Sequence, residues 1–147
     1  MQSYDAKFLN LAITEALEGA AEGGVAVGAA LSWRGALVSK GRNRRQQKKT
    51  VILHGEMDCL ANAGLFKPFS ETTMYTTLSP CKMCSGAIAQ FRIARVVIAD
   101  AVNFGGNEEF LRASGVEVVI VNDEKMIKFF REWKGANEKL WNGDIGV

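Results

Sequence analysis

The chain has 147 residues, 48% of them hydrophobic and 23% charged, and its 18 Lys and Arg against 16 Asp and Glu leave a formal net charge of +2. This is the profile of one ordinary domain over residues 1–147, large enough to bury its own core without a disulfide framework. No apolar run reaches the roughly 18 residues of a membrane-spanning helix, and the opening MQSYDAKFLN lacks a secretory layout, so the expected location is the cytoplasm. An odd count of three cysteines points to thiol or metal chemistry.

In chain order, residues 4–22 place Phe8, Leu9, Leu11, Ala12, Ala16 and Leu17 at helical spacing, and Gly23-Gly24 ends the run. Two strands are predicted at 25–32 and 36–41, joined through Arg34-Gly35 as a tight hairpin. The sequence then alternates: helix near 55–65, strand 73–78, helix 81–91, strand 95–100, short helix 106–114, strand 116–121. A final helix begins near Asn122, capped by Asn122 or Asp123. Helices between successive strands imply crossovers, so the last three strands are expected to run parallel with helices packed on the sheet.

Residues 40–49, KGRNRRQQKK, hold six positive charges and no acid, which leaves 12 basic against 16 acidic residues elsewhere. A solvated loop is the favoured reading and a phosphate-contacting patch the sharper one. From Asn122 onward, five basic residues are matched by five acids, so a general nucleic-acid binder is disfavoured.

Chemistry concentrates in His54-Gly55-Glu56 and in Ser79-Pro80-Cys81-Lys82-Met83-Cys84. A lone histidine or a lone CxxC decides nothing. Together, one imidazole and two thiolates supply three ligands suited to zinc, and three protein ligands leave the fourth tetrahedral position to water. Pro80 suits the first turn of a helix and sets Cys81 and Cys84 three residues apart on one face, near the positive end of the helix dipole. His54 and Glu56 lie about 200° apart on an ideal helix, so they share a site only if both project past its N-terminal end. Two rival readings remain. A closed Cys₃His structural site recruits Cys59, but that residue lies about 140° from His54 and more than one turn on, and is read instead as a buried thiol. A dithiol redox pair ranks third.

HGE with SPCKMC resembles the H-x-E and P-C-x-x-C signature of the zinc-dependent nucleobase deaminases. LHGEMDCLANAG, TTMYTTLSPCKMCSGAI, VNF and the terminal DIG are similar to the cytidine/deoxycytidylate deaminase superfamily, and most of all to its fungal-type cytosine deaminases. The resemblance implies a cytidine-deaminase-like three-layer α/β/α sandwich around a mixed five-stranded sheet, a homodimer, no membrane or nucleic-acid partner, and hydrolysis of the exocyclic amine of a free pyrimidine base. It implies one Zn2+ per chain on His54, Cys81 and Cys84 with water or hydroxide as fourth ligand, and Glu56 as proton shuttle. It further implies a substrate pocket built from Asn43, Asp144, Phe104 and Trp141, with Val27 and Leu78 as apolar lining and Gly55 and Ser79 beside the base.

Two departures bear on the substrate. Ala26 stands where many relatives have proline, and Asn142-Gly143 replaces a bulkier aromatic and acid pair, which suits isocytosine or another cyclic amidine as an alternative to cytosine. The tRNA adenosine deaminases share the PCxMCxGAI helix and form the second alternative; a binding module that keeps zinc but not catalysis is the non-enzyme reading.

Overall fold

The computed structural model describes residues 2–147. Five strands form one mixed sheet: β1 (Gly28–Trp33), β2 (Ala36–Arg42), β3 (Thr72–Thr76), β4 (Arg95–Ile98) and β5 (Glu117–Ile120). Their spatial order is β2-β1-β3-β4-β5; β1 runs antiparallel to β2 and β3, and β3-β4-β5 are parallel, as the alternation of helix and strand predicts. Arg34 and Gly35 both take positive φ, 50° and 76°, the two-residue hairpin geometry that matches strand twist.

The helices are α1 (Asp5–Ala21), α2 (Arg45–Lys48), α3 (Gly55–Ala63), α4 (Lys82–Gln90), α5 (Glu108–Ala113), α6 (Glu124–Ala136) and α7 (Glu138–Asp144). Alternate strand residues feed two separate cores, because successive side chains leave a strand on opposite faces. Ala30, Tyr75 and Val97 pack with Phe8, Ala12 and Ala16 of α1, Met126 and Phe130 of α6 and Trp141 of α7. Ala29, Leu31, Met74, Val96 and Ile98 pack with Cys59 of α3, Ile88 of α4 and Leu111 of α5. The result is a three-layer α/β/α sandwich in which none of the described helices is long and apolar enough to cross a membrane.

Two glycines set how closely the layers approach. A Cβ on Gly28 would lie 2.2 Å from the Ala12 carbonyl oxygen of α1, and one on Gly41 would lie 2.3 Å from the Cys59 amide nitrogen of α3. The second approach seats α3 on β2 and buries Cys59 completely, as the sequence predicts.

Three expectations change. The basic stretch is not a free solvated loop: Lys40–Arg42 end β2, and Arg45–Lys48 form α2, closed by Lys49 at φ 53°. Arg42 pairs with Glu15 and Glu18 of α1 and with Glu22 just past its end, and Arg44 pairs with Asp58 of α3, so these two charges pin helices, while Lys48 and Lys49 stay exposed. Pro80 lies outside α4, one residue before Cys81, which occupies the N-cap. The final helix breaks at Asn137, with φ −136° and ψ 44°, which turns α7 back across the sheet end. Asp123 is the cap of α6, accepting from the Met126 amide at 2.9 Å; Asn122 takes φ 51° and accepts from Ala101 instead.

Candidate active site

The site lies where β3 and β4 end, facing the N-termini of α3 and α4, at the carboxyl edge of the parallel strands where α/β folds place ligands. His54 is the N-cap of α3 and Glu56 its second residue, so both project past the end of the helix, the condition their spacing requires. Cys81 is the N-cap of α4 and Cys84 lies in its first turn. The ligand atoms of His54, Cys81 and Cys84 lie within 4.8 Å of one another, and His54 Nδ1 is 3.5 Å from Cys81 Sγ.

One nitrogen and two sulfurs, converging from two helix ends, are the donor set that zinc takes. The three groups are strongly coupled to one another. A hydrogen bond from Cys84, with a further one from His54, brings the Cys81 thiol down to about 4, whereas Cys84 is pushed well up as the donor of that bond. Burial pulls the His54 imidazole down, but Cys81 and Asp144 outweigh it and raise it to about 9. Cys59 is absent from this group; burial pushes its thiol up to about 12, and Ser39 is its neighbour.

Beside the triad lies a cleft with about 300 Å³ of space between atoms, lined by Val27, Asn43, Glu56, Leu78, Ser79, Phe104, Trp141, Asp144 and Ile145 together with His54 and Cys81. Apolar side chains and a few convergent polar groups make up its wall, the usual composition of a small-molecule site. Burial, ahead of the nearby Cys81 charge, pushes the Glu56 carboxyl up to about 7.

Asn43 is fully buried and held on every side. Its amide donates to the Val27 carbonyl at 2.9 Å, its Oδ1 accepts from the Arg45 amide at 3.0 Å, and its Nδ2 donates to Asp144 Oδ1 at 2.9 Å. Asp58 fixes the flanking residues by accepting from the Arg42 amide and from Arg44 Nε, both at 3.0 Å. The Asp144 side chain is only 4% exposed and lies 3.4 Å from His54 Nε2, an arrangement that orients the imidazole so that Nδ1 faces the sulfurs. Burial raises the Asp144 carboxyl above its ordinary range, with His54 and Asn43 opposing. Trp141 packs edge-on against Phe130 and Phe104, with centroids 5.1 and 5.6 Å apart, and so ties α7 to the pocket wall.

Of the residues expected in the pocket, Gly55 does not line it. A Cβ there would come within 3.1 Å of the Val27 carbonyl oxygen, so Gly55 is a close-packing point behind the wall. Ser79 does line it, but its hydroxyl donates to Glu108 and its amide to the Asp100 carbonyl. Ile145 was missed, although its place beside Asp144 in the DIG motif is the signal that could have found it.

A profile of the cytidine and deoxycytidylate deaminase zinc-binding region matches residues 2–100. The chain belongs to this family. It is 43% identical over 145 residues to a cytosine deaminase of Candida albicans, covering 97% of each chain. It is also 30% identical over 127 residues to a tRNA-specific adenosine deaminase of Bacillus subtilis, covering 84% of this chain and 74% of that one. Among solved structures, a tRNA:A34 deaminase superposes with a TM-score of 0.71 at 27% identity, over 85% of this chain and 99% of the other. A guanine deaminase of Nitrosomonas europaea reaches 0.79 at 20% identity, over 92% and 86%, which establishes a shared deaminase fold.

Proposed function

We propose that this deaminase hydrolyses a free pyrimidine base, converting cytosine and water to uracil and ammonia. The observation that carries the reading is that Trp141 and Asp144, from the last helix, line the cleft beside the triad together with Glu56. The 43% identity to a cytosine deaminase across 97% of both chains supports it.

His54, Cys81 and Cys84 would hold zinc, which when bound supplies a Lewis acid that makes water nucleophilic at neutral pH. The remaining work belongs to the chain. Phe104 and Trp141 enclose the ring between apolar Val27 and Leu78, and Asn43 has one amide hydrogen left for the ring's carbonyl oxygen. Asp144 accepts from the amine that is to leave. Glu56, shielded from bulk solvent and with a pKa brought near neutrality, takes one proton from the attacking water and passes it to the adjacent ring nitrogen, then takes the proton of the newly added hydroxyl and delivers it to the amino group, which leaves as ammonia. Two thiolates offset the double charge of the metal, so a neutral base needs no compensating anion.

The smaller Asn142-Gly143 segment leaves isocytosine or another cyclic amidine as a second substrate of the same chemistry. We place the enzyme in the cytoplasm as a homodimer of one-domain subunits. Three cysteines outside any disulfide suit a reducing compartment, and the exposed Val51, Ile52, Val102 and Phe110 suit a subunit interface. Ammonia release from cytosine, isocytosine, cytidine and a tRNA anticodon stem by zinc-loaded enzyme tests the reading. Turnover of cytosine is expected, and turnover of the RNA alone refutes it.

A further inference from the structure

The loop after β4 carries Phe104, a wall of the pocket, followed by Gly105-Gly106-Asn107. Both glycines are exposed, and Gly106 takes φ 116°. Such a segment does not hold its own shape. It is fastened from outside. The Glu108 carboxylate, at the start of α5, accepts from the Gly106 amide at 3.1 Å and from the Ser79 hydroxyl, 29 residues earlier in the chain. Asn107 Nδ2 donates to the Pro80 carbonyl at 3.0 Å. Ser79 and Pro80 run directly into Cys81. Glu108 has no ion-pair partner among the described residues, so this partly buried carboxylate is committed to neutral donors on two separate segments. Neither Glu108 nor Asn107 lines the inner cleft.

We propose that Glu108 is a positioning residue for the deamination, latching the Phe104–Asn107 loop to the segment that carries Cys81. The latch keeps Phe104 against Trp141, so the pocket has its shape before a base arrives. This rests on the reading of the cleft as the base-binding site. Since Glu108 touches no reacting atom, its effect is on the population of the binding-competent pocket, and apparent affinity falls by the fraction of time the pocket is open. Once a base is bound, Phe104 is seated by the ring itself. The loss therefore falls on KM and leaves kcat nearly unchanged.

Steady-state kinetics on cytosine, zinc content and hydrogen exchange of residues 104–108 in the absence of base test the latch in Glu108→Ala, Glu108→Gln and Asn107→Ala. Glu108→Ala is expected to raise KM about tenfold with kcat within about threefold, full zinc and faster exchange at Gly106. Glu108→Gln keeps an acceptor for the Ser79 hydroxyl and is expected to recover most of the KM. Asn107→Ala removes the other tie and is expected to move KM in the same direction. A native KM in Glu108→Ala, or a loss confined to kcat or zinc content, overturns the proposal. If the native enzyme leaves cytosine untouched, the functional reading fails and exchange alone judges the latch, with unchanged rates in Glu108→Ala and Asn107→Ala overturning it.

Discussion

Replacing Asp5 by Asn asks how far α1 is held to the sheet by charge rather than by packing. The Asp5 carboxylate is completely shielded from solvent and accepts from Arg95 Nη1 and from the Tyr75 hydroxyl, both at 2.8 Å. Burial alone raises its pKa; the hydrogen bonds from Arg95 and Tyr75 outweigh that and bring it from 3.8 to about 2. A folded-state pKa below the unfolded one stabilises the protein above roughly pH 4, and that contribution is lost as pH falls toward 2. A shift of nearly two units corresponds to about 2.5 kcal/mol. The variant also leaves Arg95 with only Glu117 as a charged partner, so the expected cost at pH 7 is about 3 kcal/mol, at the low end for breaking a buried pair. Urea unfolding of both proteins at pH 7, 4 and 3, extrapolated to water, measures the gap. It should be widest at pH 7 and narrow below pH 4. A gap under about 1 kcal/mol at pH 7, or one that acid does not shrink, refutes the reasoning.

Glu56→Gln should keep zinc and melting behaviour while ammonia release falls at least about 100-fold; activity within tenfold of native removes Glu56 from the proton path. Cys81→Ala should come off the column with less than about a tenth of the native zinc by elemental analysis, because two donors remain of three. Trp141→Ala removes both edge-on aromatic contacts, each worth about 1 kcal/mol beyond area. It should raise KM for the base at least about tenfold in enzyme that stays folded and zinc-loaded, and a KM within about threefold of native removes Trp141 from the wall around the base. Thiol titration of the folded, zinc-loaded enzyme should leave Cys59 unmodified for hours, and denaturation in chelator should release all three thiols, since burial and a pKa of about 12 both suppress its thiolate.

The sheet and its flanking helices were readable because hydrophobic period switches cleanly between strand and helix after Thr50. The predicted strands run past the observed ends at 25–27 and 77–78, where buried side chains continue although ladder pairing has stopped. The break at Asn137 carries no proline, and α2 is too short at four residues to show a period. The metal triad was legible because its three residue types have few joint uses. Asp144 was not legible by local pattern, since an acid near the end of a sequence looks solvated; only family resemblance placed it, and tertiary packing of α7 buries it. The Glu108 tie had no sequence signal, because its distant partner, Ser79, lies in a different crossover.

The hydrogen bond between Asn43 and Asp144 spans 101 residues, and the cleft also draws on Val27 and Phe104. During translation nearly the whole chain must therefore leave the ribosome before the cleft can assemble. A ligand that recognises only the finished arrangement favours the completed fold over every partially assembled one.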